Sequence, residues 1–197
     1  MKVVFDVGRV LVRWEPEPVL RDLVGEARWE AFSSEVDFFA WHMAQDAGRS
    51  VAEALEDARA RYPAWVDVLS GFYPRWGAAL PGLITGTVEI KEALEARGVA
   101  LYAITNFPAE HWPETVARYP TLGQFDYVLV SGEVGLVKPD PAIFRLFFER
   151  TALAPGDCFF TDDSPANIAT ATALGMDTHL FTGPEGLRAA LSQRGLL

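Results

Sequence analysis

The sequence predicts an α/β fold: a parallel β-sheet covered by helices on both faces, with an all-helical subdomain inserted after the first strand. Two observations lead to this prediction. Short apolar runs alternate with helical patterns along most of the chain, which is typical of parallel sheets. The first two apolar runs are separated by about 70 residues without a convincing strand, far more than a plain connection between parallel strands needs.

Five runs are predicted to be strands because they are short, apolar and rich in β-branched or aromatic residues. They are residues 3–6, 99–105, 127–131, 158–162 and 178–181. Helical patterns follow them at residues 87–97, 110–119, 140–151, 164–174 and 184–193. In open sheets of this kind, ligands bind at the carboxyl ends of the strands, so that edge is where a site is expected.

The inserted segment is predicted to be entirely helical. Its apolar residues have helical spacing at residues 20–24, 28–39, 51–61 and 65–76. Ser50 and Glu53 have the spacing of a capping box, which indicates a helix start. We therefore expect a helical subdomain over residues 15–86, lying above the end of the first strand, and an α/β core made of residues 1–14 and 87–197.

The amino-acid composition limits the classes of partner that the protein is expected to bind. The 197 residues carry 27 acidic and 17 basic side chains, a formal charge of −10, which argues against nucleic-acid or anionic-membrane binding. No apolar run approaches the ~20 residues of a membrane span, and the N-terminus lacks the basic region of a signal peptide. The lone Cys158 is expected to be a buried, unreactive thiol. These features predict a cytoplasmic protein that acts on a small molecule, and they leave open whether it is a monomer or homodimer.

Residues suited to chemistry stand at the ends of predicted strands or just before a helix. They are Asp6 and Gly8, Thr105 and Asn106, Lys138, and Asp162 and Asp163. Because the carboxyl ends of parallel strands share one edge, we expect these residues to converge. Three carboxylates in one cleft repel each other, and a hard cation such as Mg²⁺ would neutralise them. The hydroxyl, amide and amine groups would then hold a phosphate, and such positioning is most of what phosphoryl transfer requires.

Four segments carry a family resemblance. FDVG, ITN, GLVKPDPAIF and FFTDDSPANI resemble, in order and spacing, the four motifs of the haloacid dehalogenase superfamily. The resemblance covers essentially the whole chain and implies a Rossmann-like core with a helical cap of the C1 type, as in subfamily IA. Within the superfamily, the chain resembles small sugar-phosphate phosphatases whose first motif reads DxG and whose fourth motif carries a pair of aspartates. The resemblance implies a Mg²⁺-dependent phosphatase that hydrolyses a small phosphorylated metabolite, such as a sugar phosphate, through an aspartyl-phosphate.

The resemblance also implies roles for the residues that would bind the substrate. Asp6 matches the nucleophile, Thr105 and Asn106 match the phosphate-binding second motif, and Lys138 matches the base that neutralises the phosphate. Arg9 lies beside the nucleophile turn. It could bind an anionic group of the substrate or hold acidic residues of the inserted segment.

A second set of roles concerns the metal. Asp6, the backbone carbonyl of Gly8, and Asp163 match the Mg²⁺ ligands of the family. Asp162, adjacent to Asp163, is counted with the metal-binding acids. Many members have glycine at this position, so Asp162 is expected to act on the ion through the groups that contact the metal. Asn167 stands where many members have an acid that orients metal-bound water.

Gly8 is the main departure from the family pattern. Many related phosphatases have an aspartate there, which protonates the leaving group and then activates water, and loss of such a group typically costs ~10²–10⁴ in rate. Glu15, His42 and Asp46 are candidates to replace it by position alone, and His42 is favoured as a structural residue.

Two alternative functions stay open. In a 2-haloacid dehalogenase, Asp6 would attack carbon without a metal, but such enzymes usually have a bulky residue where Gly8 stands. A non-catalytic protein could bind a phosphorylated metabolite and report it to a partner. The intact Asp6 argues against that reading, because a sensor needs no nucleophile.

Overall fold

The computed structural model describes all 197 residues. Five parallel strands form one sheet in the order β3-β2-β1-β4-β5. The strands are β1 (Lys2–Phe5), β2 (Leu101–Thr105), β3 (Tyr127–Val130), β4 (Cys158–Asp162) and β5 (Asp177–Leu180). The predicted α/β fold with a parallel sheet is therefore confirmed, and every predicted strand is present.

The sheet register aligns the strand ends that carry the polar residues. β1 lies in the centre, where Phe5 is opposite Ala103 of β2 and Thr161 of β4. The backbone N–H of Asp6 donates to the carbonyl of Thr161 at 2.9 Å, which continues the ladder past the end of β1. Side chains that follow β1, β2 and β4 thus leave the same edge of the sheet side by side.

Five helices lie between β1 and the next core helix. They are α1 (Pro16–Val24), α2 (Trp29–Glu35), α3 (Phe38–Asp46), α4 (Val51–Arg61) and α5 (Val66–Phe72). The remaining helices are α6 (Thr85–Ala96), α7 (Trp112–Arg118), α8 (Ser131–Val134), α9 (Pro141–Thr151), α10 (Pro165–Ala173) and α11 (Pro184–Gln193). The expected capping box at the start of α4 is present: Glu53 N–H donates to Ser50 Oγ at 3.2 Å, and Ser50 N–H donates to Glu53 Oε2 at 2.9 Å.

The prediction of one helix over residues 28–39 is wrong. Val36 is extended, and the Asp37 carboxylate accepts a hydrogen bond from Ala40 N–H at 3.0 Å. An aspartate in this position caps a new helix, so α2 ends and α3 begins in a different direction. The helix expected over residues 65–76 also ends early, at Phe72, and continues as 3₁₀ turns that contain Pro74.

The inserted segment enters and leaves through one short antiparallel pairing. Arg13 N–H donates to Gly82 O at 2.9 Å, and Ile84 N–H donates to Leu11 O at 2.8 Å. Further bonds tie the segment to the sheet side of the molecule, among them Trp76 Nε1–H to Thr115 Oγ1 at 3.0 Å. The division into a core of residues 1–14 and 87–197 and a cap of residues 15–86 stays a prediction.

Two smaller expectations concern membranes and the cysteine. None of the helices is both long enough and apolar enough to cross a membrane. Cys158 is fully buried and forms no disulfide. Burial raises the pKa of its thiol to about 11, so at neutral pH it carries little of the reactive thiolate.

Candidate active site

Lys138 is the centre of the polar cluster at the carboxyl edge of the sheet. Its ammonium donates to Asp6 Oδ1 at 2.8 Å and to Asp162 Oδ2 at 2.7 Å. A third bond reaches the carbonyl of Ile104, near the end of β2, at 2.8 Å. Burial alone would lower the pKa of Lys138, but the charges of Asp162 and Asp6 outweigh it and raise that pKa. The side chain therefore stays positively charged and joins the ends of three strands.

Asn106 holds the backbone of Lys138 in place. Its Nδ2 donates to Lys138 O at 2.9 Å, and its Oδ1 accepts from Lys138 N–H at 2.8 Å. Because both polar ends of the amide are used, Asn106 positions the lysine. The contact with phosphate that the resemblance implies for Asn106 stays a prediction.

Asp162 is fully buried, and both of its carboxylate oxygens are hydrogen-bonded. Oδ1 accepts from Ser164 N–H at 2.8 Å and from Asn167 Nδ2 at 2.9 Å. Oδ2 accepts from Lys138 at 2.7 Å and from Asn167 at 3.0 Å. Asp162 therefore holds the Lys138 ammonium, and the side-chain amide of Asn167 donates to Asp162.

Three carboxylates meet beside the ammonium. Ligand oxygens of Asp6, Asp162 and Asp163 all lie within 4.8 Å of one another. Burial raises the pKa of Asp6 to about 7; Lys138 opposes this, while Asp162 and Asp163 add to it. Burial, followed by the charge of Asp162, also raises the pKa of Asp163. Since one ammonium faces three acids, negative charge is in excess, and an oxygen-rich site of this kind suits a hard divalent cation.

Thr105 and Arg9 complete the set of predicted residues. Thr105 is fully buried, and its hydroxyl has no hydrogen-bond partner within the protein. Arg9 is exposed, has a left-handed backbone with φ of 58°, and lies near enough to oppose the rise in the pKa of Asp163. Its charge therefore acts on the acid cluster, and its contact with substrate stays a prediction.

A small cavity of about 60 Å³ lies between the inserted segment and this edge of the sheet. Its lining includes Gly8, Trp14 and Asn106 from the sheet side and His42, Asp46 and Trp76 from the inserted segment. The His42 ring stacks on Trp14, with ring centroids 5.3 Å apart, and on Phe38 at 5.5 Å. Burial lowers the pKa of His42 to about 3, so the ring is neutral.

Sequence reasoning missed Ser131. Its hydroxyl donates to Asp46 O at 2.6 Å and accepts from Phe107 N–H at 2.9 Å, so it ties the inserted segment to the loop after β2. The available signal was its position as a polar residue directly after β3, the same signal that identified Asp6 after β1.

A model of haloacid dehalogenase-like hydrolases matches residues 3–175, which is most of the chain. The chain belongs to the haloacid dehalogenase-like hydrolases. The resemblance that the four motifs carry is therefore confirmed, and the cluster around Lys138 is the part of this hydrolase built from those motifs.

Two curated relatives show how much of a longer protein this hydrolase covers. Phosphoserine phosphatase of Thermus thermophilus is 31% identical over 153 residues, which are 78% of this chain and 50% of that protein. Acyl-CoA dehydrogenase family member 10 of Mus musculus is 42% identical over 62 residues, 32% of this chain and 6% of that protein. The hydrolase thus spans at most half the length of these relatives.

Solved structures agree with the fold of the hydrolase. The magnesium complex of HAD family enzyme bt-2542 from Bacteroides thetaiotaomicron superposes with a TM-score of 0.70 at 23% identity, covering 92% of this chain and 93% of that one. The same enzyme with magnesium and inorganic phosphate gives a TM-score of 0.67 at 20% identity, covering 92% and 94%. At 20% and 23% sequence identity, these comparisons show that the two proteins share a fold.

Proposed function

We propose that this hydrolase is a Mg²⁺-dependent phosphatase that removes phosphate from a small metabolite, such as a sugar phosphate, through an aspartyl-phosphate. The observation that carries the proposal is the contact of the buried Lys138 ammonium with Asp6 at 2.8 Å, beside the further acids Asp162 and Asp163. The names of the Thermus thermophilus phosphatase and of the bt-2542 complex with magnesium and phosphate support it.

In the proposed reaction, a carboxylate oxygen of Asp6 attacks the phosphorus atom. The bond from phosphorus to the leaving oxygen breaks, and that oxygen takes up a proton. Water then attacks the phosphorus of the aspartyl-phosphate, which releases inorganic phosphate and restores Asp6. Lys138 is already charged and held by three bonds, so it can stabilise the negative phosphoryl oxygens without rearranging.

The donor set fits the metal that the family implies. Both oxygens of Asp162 are occupied, so Asp6, Asp163 and the carbonyl of Gly8 are the residues proposed to hold Mg²⁺. Bound there, the ion would neutralise the excess of negative charge and that of the phosphate. We propose that Asp162 orients Lys138 and binds no metal itself.

Magnesium is expected to stabilise the folded protein. At ~100 times its dissociation constant, Mg²⁺ should add about 2.7 kcal/mol to the free energy of unfolding, which corresponds to roughly 5–10 °C in Tm for a chain of this size. Asp163→Asn should abolish most of this increase. Asp157→Asn, an exposed acid just before β4 at the opposite edge of the sheet, should leave it intact. Thermal unfolding with Mg²⁺ or an ionic-strength-matched sodium salt tests this, and an Asp163→Asn variant that responds like wild type would contradict it.

The proposed function is tested by measuring phosphate release from a panel of phosphorylated metabolites, with Mg²⁺ and with a chelator. We expect release from at least one sugar phosphate, and only with Mg²⁺. Halide release from 2-haloacids in the presence of chelator would support the dehalogenase instead. Tight binding of a phosphorylated metabolite without turnover would support the non-catalytic alternative.

A further inference from the structure

We propose that Asp46, on the inserted helix α3, is the general acid and base of this hydrolase and supplies the group that Gly8 lacks. The proposal rests on the phosphatase function above and assigns the proton transfers of both of its steps. Asp46 is brought to the site by the fold alone, since 40 positions separate it from Asp6 in the numbering of the chain.

The place that a side chain at position 8 would fill is empty. An ideal Cβ built on Gly8 meets no atom within 4 Å, and its φ lies outside the left-handed region, so neither packing nor backbone geometry demands glycine here. Gly8 and Asp46 line the same cavity of about 60 Å³, Gly8 from the nucleophile turn and Asp46 from the end of α3. A leaving oxygen placed in that cavity would therefore meet Asp46, where position 8 offers no side chain.

The end of α3 is fixed in this place by bonds to the sheet side. Ser131 Oγ donates to the carbonyl of Asp46 at 2.6 Å and also accepts from Phe107 N–H at 2.9 Å. A Cβ on Gly48 would lie 3.2 Å from the carbonyl of Gly132, so the two backbones approach closely here. The backbone of Asp46 is thus held against α8, which directly follows β3, and through Ser131 against the loop after β2.

The Asp46 carboxyl is available for proton transfer. Its Oδ1 is buried without a hydrogen-bond partner, and the nearest basic atom, His42 Nε2, is 3.7 Å away. Burial raises the pKa of Asp46 to about 7; the charge of Asp6 adds to the rise and that of Lys138 opposes it. A carboxyl with a pKa near neutrality can both donate and accept a proton at the working pH.

The other two candidates are less suited to the task. His42 faces Asp46 from the same helix, but burial, together with the charges of His111 and Arg49, lowers its pKa to about 3. The neutral ring therefore has no proton of sufficient acidity to give to a leaving oxygen. Glu15 is exposed and does not line the cavity.

The proton balance of the reaction closes with this single residue. As Asp6 bonds to phosphorus and the leaving P–O bond breaks, the Asp46 carboxyl gives its proton to the leaving oxygen, and the alcohol departs. The resulting Asp46 carboxylate then takes a proton from the water that attacks the aspartyl-phosphate. Inorganic phosphate leaves, Asp6 is free again, and Asp46 is again protonated.

The test compares two phosphate donors in the Asp46→Asn variant. One is the sugar phosphate that the wild type hydrolyses fastest, whose alkoxide must be protonated. The other is acetyl phosphate, whose acetate leaves without a proton. Because kcat/KM covers only the steps up to leaving-group departure, it should fall ~10²–10⁴-fold for the sugar phosphate and less than about tenfold for acetyl phosphate. Glu15→Gln is the matched control and should change neither value.

A second variant separates chemistry from structure. Gly8 has room for a side chain, so Gly8→Asp can restore an acid to the same cavity. The double variant Gly8→Asp with Asp46→Asn should therefore have a kcat/KM for the sugar phosphate at least about tenfold higher than that of Asp46→Asn alone. Equal losses for both donors without such recovery, or no loss at all, would overturn the role of Asp46. A wild type that releases phosphate from acetyl phosphate but from no alkyl phosphate would also overturn it, with the nucleophile of the proposed function intact. A wild type inactive on both donors would instead overturn the proposed function itself.

Discussion

Replacing Asp6 by asparagine is expected to reduce phosphate release by on the order of 10⁵-fold or more, because the variant cannot form the proposed aspartyl-phosphate. The side chain keeps its volume and can still accept a hydrogen bond from Lys138. We therefore expect the free energy of unfolding to change by no more than about 1 kcal/mol. Rapid-quench trapping of phosphorylated protein in wild type, and its absence in the variant, measures the step directly.

The control for this variant is Asp157→Asn, which makes the same chemical change at an exposed site next to the other end of β4. The Asp157→Asn variant should release phosphate at the wild-type rate. Unchanged turnover in Asp6→Asn, with phosphate still transferred to the protein, would place the nucleophile elsewhere and would contradict the proposed mechanism.

Lys138→Met is expected to remove both activity and a large part of the stability. The side chain is 2% exposed, and its ammonium is the only cation bonded to Asp6 and to Asp162. Removing one partner of a buried charge cluster leaves the other charges uncompensated, which typically costs about 3–5 kcal/mol. Urea unfolding at neutral pH should show a loss of this size, together with loss of phosphate release.

The pH dependence identifies the cause of the loss. Asp6 already has a pKa raised to about 7 in the folded protein, and removing Lys138 raises it further. A carboxyl whose folded pKa is raised stabilises the fold at low pH, and this stability is lost as pH rises through that pKa. The deficit of Lys138→Met should therefore be largest above neutral pH and should shrink in acid. A deficit that is the same at every pH would indicate lost packing rather than uncompensated charge.

Lys91→Met is the matched control, since Lys91 is the other lysine with a fully buried side chain. Its acidic partner, Glu95, is 40% exposed, so the carboxylate left behind remains hydrated. We expect a change of less than about 1 kcal/mol and normal turnover.

The sheet and the edge that carries the site could be predicted from sequence because both depend on local signals. Each strand is a short apolar run, and the polar residues that end the runs reach one edge in any parallel sheet. Asp6 after β1 and Asp162 at the end of β4 could therefore be expected to meet. Helix boundaries in the inserted segment were harder, because the break before α3 depends on a single Asp37 cap within an otherwise continuous apolar pattern.

The partners within the site could not be read from the sequence. Asn106 bonds to the backbone of Lys138, 32 residues away, and Ser131 bonds to Asp46 across 85 residues. Such bonds leave no periodicity or spacing in the chain, because they depend on the relative placement of whole elements. The family resemblance already separated Asp163, as a metal ligand, from Asp162, but the partners that use both oxygens of Asp162 required the three-dimensional structure.

The single pairing of residues 11–13 with residues 82–84 makes residues 14–81 a cassette with adjacent ends. A helical segment of another hydrolase could be grafted at these two positions without changing the order of the strands. Because Asp46 lies inside the cassette, such an exchange would replace the pocket wall and the proposed proton donor together. A chimaera whose new segment lacks an acid in the place of Asp46 would need Gly8→Asp to recover activity. Substrate recognition and proton transfer would therefore be exchanged together with the segment.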